Sequence, residues 1–133
     1  APRALALRSI APAGLPVRAL LVAAEDVVKG KPAPDCFQLA ARKLGTMANR
    51  CLVIEDSAAG IAAAEGAGAM VLVVTATHPD PMDVRHAVIR DYRDLVVKRL
   101  SDGSVTIGHV QEAVDAATQF SCVIPARPAA TPS

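Results

Sequence analysis

The sequence predicts an α/β fold, a parallel sheet packed by helices, and three observations carry that prediction. Apolar runs at 18–24, 50–55 and 69–75 are short and continuous, as strands buried on both faces are. Helical patterns at 35–44 and 58–66 separate them, so strand and helix alternate along the chain. Only Phe37, Tyr92 and Phe120 are aromatic, so the core has to be built from Val, Leu, Ile and Ala. A length of 133 residues suits one ordinary domain.

Each element has its own local reason. Residues 2–11 read as a short helix, with Pro2 suited to a first turn and Pro12 ending it. "RALLVAA" (18–24) is the first apolar strand. "EDVVKGKPAP" (25–34) is a loop, given freedom by Gly30 and stiffened by Pro32 and Pro34. In the helix at 35–44, Phe37, Ala40, Ala41 and Leu44 recur at helical spacing, and Gly45 stands where a terminating glycine belongs. "RCLVIE" (50–55) is the second strand, and Ser57 is placed to cap the helix at 58–66, which Gly66 or Gly68 ends. "AMVLVVT" (69–75) is the third strand. Beyond it come a loop, a short strand within 86–91, and a hairpin over 95–107 turning at Asp102-Gly103. Residues 108–120 hold an additional helix, amphipathic over 109–119. The small-residue tail over 121–133 is expected to be disordered.

Composition excludes several classes of function. The net charge is +1 and the arginines are scattered without an aromatic platform, so neither nucleic acid nor an anionic membrane surface is expected as a partner. No apolar run reaches the roughly 20 residues of a membrane span. Cys36, Cys51 and Cys122 match no zinc or redox spacing and read as reduced thiols of a cytoplasmic protein. His78, His86 and His109 are isolated from one another and from any cysteine pair.

Chemistry concentrates at two strand ends. Open α/β sheets bind ligands beyond the carboxyl ends of their strands. Glu55 and Asp56 occupy one such end, and the loop carrying Lys29 and Lys31 follows another. Two adjacent carboxylates suit Mg²⁺, a hard ion that takes one or two of them and keeps several waters. A lysine converging on the same place suits a phosphate, because charge neutralisation and positioning do most of the work of phosphoryl transfer. Each feature alone has an ordinary explanation: an acid before a serine caps a helix, and a loop lysine is a solvated charge. Gly60, Gly66 and Gly68 form no nucleotide-binding fingerprint and are read as serving close packing and helix ends.

Taken together, "GKPAPDCFQLAARKLG" (30–45) and "CLVIEDSAAGIAAAEGAGAMVLVV" (51–74) resemble the haloacid dehalogenase-like hydrolase superfamily. The similarity is greatest to its sugar-phosphate and polyol-phosphate phosphatases and its β-phosphoglucomutase-like branch, and it extends over residues 1–107. The resemblance implies a three-layer α/β/α, Rossmann-like parallel sheet. It implies that Lys31 holds nucleophile and phosphate together, and that Asp56, with Glu55 beside it, binds Mg²⁺. Ser57 is then a supporting cap, with Gly30 and Pro32 shaping the lysine loop. The implied substrate is a small phosphorylated metabolite, hydrolysed through an aspartyl-phosphate.

The sequence departs from that pattern in three respects. No DxDGT motif, the family's source of nucleophile and general acid/base, occurs in the 133 residues. The Ser/Thr motif of the family's second strand is absent too, as is the mobile cap. The expected core is therefore incomplete, lacking the first two strands, and the chain reads as the C-terminal half of a phosphatase, inactive alone. Strands 18–24 and 50–55 are expected to flank a gap, which would leave apolar edges open and hold Lys31 away from Glu55 and Asp56. Two further readings remain at this point. One is a non-catalytic partner or binding subunit that completes its sheet with another chain, and whether a complementing chain carrying DxDGT accompanies it discriminates this reading. The other is a receiver-like or nucleotide-binding α/β domain, for which the order of lysine and acids and the glycine pattern are wrong.

Overall fold

Residues 1–14, 20–77, 85–109 and 120–123 are described by the computed structural model. A parallel sheet organises them. β1 (Leu52–Glu55) pairs with β2 (Met70–Val74), and β2 pairs with β3 (Ala87–Ile89). The register sets Glu55 beside Val73 and Val73 beside Val88, so the three strands finish along one edge of the sheet. Side chains alternate across the pleat. Val53, Val71 and Val73 share one face with Ile61 and Ala64 of α3 (Ala58–Gly66), and Phe37 and Ala69 pack against them. Leu72, Val74 and Ile89 form the opposite cluster, met by Leu52, Ile54, Ala87 and Leu95. Apolar burial on both faces is the reason the strand sequences run continuously apolar instead of alternating.

The helices start and stop for local reasons. In α3, the Ser57 hydroxyl accepts the Gly60 N–H at 3.1 Å. α2 (Asp35–Lys43) and α3 both end in paired reverse bonds around a left-handed glycine, Gly45 (φ +74°) and Gly68 (φ +75°). Thr46 N–H reaches Ala41 O and Ala69 N–H reaches Ala64 O, each at 3.0 Å, which satisfies carbonyls that the helix leaves open. Leu44, expected on the buried face of its helix, is 56% exposed, because it is the cap residue from which the chain turns away. α1 (Arg3–Ile10) buries no residue. It is tied instead by Arg3, whose backbone N–H donates to the Glu25 carboxylate and whose guanidinium pairs with Asp26.

Among the described residues, the expected strand at 18–24 is not formed. Residues 20–23 are irregular, Ala24–Asp26 is a 3₁₀ turn, and residues 18 and 19 lie outside the described residues. A strand persists only where its backbone groups find a ladder. Here the Ala23 N–H turns to the Asp26 carboxylate at 2.8 Å, and the Ala24 N–H to the Ala1 carbonyl at 3.0 Å.

A second, antiparallel sheet follows, in the order β4-β5-β6: β4 (Leu95–Arg99), β5 (Ser104–His109) and β6 (Phe120–Val123). The expected hairpin turn is present. Gly103 N–H donates to Leu100 O at 3.0 Å, and the Asp102 carboxylate accepts the Ser104 N–H at 2.8 Å. Two expectations change. His109, read as the start of a helix, closes β5, and Phe120–Val123, read as the end of that helix and the start of a tail, forms β6. The cause is pairing with a distant segment, in the register Val105 to Cys122 and Ile107 to Phe120. Residues 110–119 of the expected helix and 124–133 of the expected tail lie outside the described residues. Among the described residues, no helix is long and apolar enough to cross a membrane.

Candidate active site

Glu55 is the last residue of β1 and is buried, with 8% of its surface exposed. Burial of a carboxylate is costly without partners, and each oxygen has them. Oε2 accepts the Ser57 hydroxyl at 3.0 Å and the backbone N–H groups of Asp56 and Ser57 at 3.2 and 3.4 Å. Oε1 takes the Lys31 ammonium in an ion pair. Lys31 also lies over the Phe37 ring, 5.1 Å from its centroid, so the cation meets a π-face as well as an anion.

This contact overturns the expectation that Lys31 is held away from the acids. The expectation follows from a gap between strands at 18–24 and 50–55. In the fold the lysine loop is aimed by the helix after it. Phe37 of α2 packs on the cluster that includes Ile61 and Ala64 of α3, and Pro34 lies against Gly66. Two helices in contact therefore carry the lysine loop to the end of β1. The Lys31–Pro32 peptide within that loop is cis.

Asp56, one residue past β1, is half-buried and accepts the Thr77 hydroxyl at 2.7 Å. Thr77 lies just beyond β2, whose end is adjacent to that of β1 in the sheet. Nothing in its sequence position signals this role, because it depends on strand order. Phe37 was legible only as a core residue. Gly60 reads from the sequence as a close-packing residue, and its surroundings agree: a side chain there would overlap the Glu55 carboxylate. Gly30 has open space around it and serves the loop alone.

Lys31, Glu55, Asp56 and Ser57 are thus brought together. Among the described residues no third acid, histidine or cysteine joins the two carboxylates. That donor set fits Mg²⁺, which is held by one or two carboxylates together with waters and substrate oxygens, and would not close a zinc site. A cavity of about 410 Å³ opens beside Lys31, lined by Val22, Ala23, Val27, Cys36 and Phe37 among others.

Comparison with known proteins bears on the same residues. The family described as haloacid dehalogenase-like hydrolase matches residues 2–68, a span that contains Lys31, Glu55, Asp56, Ser57 and Gly60 and stops short of Thr77. Hexitol phosphatase A of Escherichia coli (strain K12) is 35% identical over 96 residues, 71% of this chain and 44% of that protein. The probable pseudouridine-5'-phosphatase of Drosophila melanogaster is 48% identical over 59 residues, 43% of this chain and 24% of that protein. Fructose-1-phosphate phosphatase YqaB of Escherichia coli (strain K12) is 48% identical over 48 residues, 36% of this chain and 26% of that protein. The chain spans less than half the length of these relatives.

Proposed function

Since the chain belongs to the haloacid dehalogenase-like hydrolases, we propose that it supplies the lysine and acidic half of a Mg²⁺-dependent phosphatase acting on small sugar or polyol phosphates. The observation that carries this reading is the meeting of Lys31 and Glu55, with Asp56 adjacent, at the carboxyl end of β1. Lys31 places positive charge where a phosphate would bind. Asp56 would hold the metal, with Glu55 beside it reaching the metal through water, and Thr77 would orient Asp56. The metal, when bound, draws negative charge from the phosphoryl oxygens. The reading of the substrate is supported by relatives named for hexitol and fructose 1-phosphate.

The nucleophilic aspartate of a DxDGT segment is not among the 133 residues. It is contributed by further chain joined to these residues or by a complementing partner, and the aspartyl-phosphate forms there. The reaction is placed in the cytoplasm, where the three cysteines stay reduced. The test is reconstitution. The chain joined to, or mixed with, a segment carrying DxDGT hydrolyses hexitol phosphates only with Mg²⁺, and the chain alone hydrolyses none. Absence of turnover from a folded reconstituted protein over a panel of sugar and polyol phosphates overturns the reading.

One observation also favours a second reading, a non-catalytic subunit. Among the described residues β1 pairs only with β2, so its other edge can accept a strand from another chain. A native partner that binds through this edge and carries no DxDGT segment would decide for it.

A further inference from the structure

We propose that Gly60 is a positioning residue for Lys31 and acts through Glu55. The part of this that concerns catalysis rests on the phosphatase reading above; the geometry does not. α3 reads AAGIAAAEG, rich in alanine, and alanine is the best helix former. Glycine is a poorer helix former than alanine, so propensity does not explain the glycine at position 60. The surroundings do. Gly60 is buried in the first turn of α3, and the Glu55 carboxyl lies directly on it. An added β-carbon would overlap both carboxylate oxygens and the carbon between them. Other glycines do not meet this obstacle: Gly66 would make an ordinary contact with Pro34 at 3.5 Å, and Gly14, Gly30, Gly45, Gly68 and Gly108 have open space.

The missing side chain therefore makes the seat for Glu55. The same turn of helix closes a ring of bonds around it. Gly60 N–H donates to Ser57 Oγ at 3.1 Å, and Ser57 Oγ–H donates to Glu55 Oε2 at 3.0 Å. With Oε2 held in this way, Oε1 is presented to Lys31. The Lys31 side chain is 39% exposed, against 9% for that of Glu55, so the acid is the enclosed member of the pair and the lysine takes its place from it. A carboxylate displaced from its seat would release the lysine.

The experiment reads Lys31 directly and needs no phosphatase activity. The folded chain is treated briefly with an amine-acylating reagent, and modification of Lys31 is compared with that of Lys29 by peptide mass spectrometry. Glu55→Gln and Gly60→Ala each raise the Lys31 rate several-fold relative to Lys29, and the double variant raises it no further than either alone. A folded Gly60→Ala protein with the parental Lys31 rate overturns the proposal, as does additivity in the double variant. If Gly60→Ala does not fold, the comparison moves to stability. Glu55→Ala/Gly60→Ala is then at least as stable as Glu55→Ala, since the added β-carbon has room and alanine favours the helix. A less stable double variant shows that the obstacle is not Glu55, and the proposal falls. Lack of turnover in the reconstituted enzyme would remove the phosphatase reading and leave this result standing.

Discussion

The Lys31 ammonium pairs with the Glu55 carboxylate, 24 residues further along the chain, and the acid is the buried member of the pair. Removing the cation strands a charge that water reaches poorly. Breaking a fully buried pair costs several kcal/mol and an exposed one almost nothing; with Lys31 partly exposed, Lys31→Met is expected to cost about 2 kcal/mol. Urea denaturation of the chain measures it. Lys31→Met combined with Glu55→Gln recovers part of the loss, since no charge is then left buried. In the reconstituted phosphatase, Lys31→Ala cripples turnover whatever the effect on stability.

On the proposed reading, substitutions at Asp56 and Thr77 separate metal binding from folding. Asp56→Ala is expected to abolish Mg²⁺-dependent turnover in the reconstituted enzyme. Thr77→Val leaves the carboxylate in place without its 2.7 Å hydrogen bond, and losing such an orienting partner weakens metal affinity by about 10–100-fold. Titration calorimetry with Mg²⁺ reads both variants. Unchanged affinity in Thr77→Val would remove Thr77 from the site.

The sheet interior provides the stability that holds these side chains. Leu72 is 2% exposed, in the centre of β2. Leu72→Ala leaves a cavity that the paired strands cannot collapse and costs about 2–5 kcal/mol. Leu44→Ala, at a cap residue 56% exposed, changes stability by less than about 0.5 kcal/mol. Denaturant midpoints of the two variants test the contrast.

Asp91 titrates below the usual carboxylate range. The Arg93 side chain, and then the Arg93 backbone N–H, hold its carboxyl down from 3.8 to about 2. The folded form is the one that prefers the ionised acid. The stabilisation is therefore complete above pH 3.8 and is lost as the pH falls through about 2. A carboxyl carbon NMR titration should place the Asp91 midpoint near 2. In Arg93→Gln it should move back toward the ordinary value.

Several elements were legible because their causes are local. Ser57 caps α3 from the position the sequence assigned to it, and Gly45 and Gly68 end helices because only a left-handed residue closes those carbonyls. The turn at Asp102-Gly103 closes through bonds within four residues. The strand expected at 18–24 fails for a reason of the opposite kind. Its apolar pattern is real, but a strand also needs a ladder, and its backbone groups bond locally instead. β6 is the converse case, a short segment made into a strand by β5.

By itself, the sequence determined the alternation of buried strand and helix, the helix ends, and the candidacy of Lys31, Glu55 and Asp56. Each of these follows from spacing, residue type or a motif read along the chain. Only the tertiary structure decided that Lys31 reaches Glu55, that Gly60 leaves room for the carboxylate, and that Thr77 meets Asp56. Those contacts join residues 5 to 24 positions apart. They arise from helix packing and strand order, which bring distant side chains within bonding reach and leave no periodic trace in the chain.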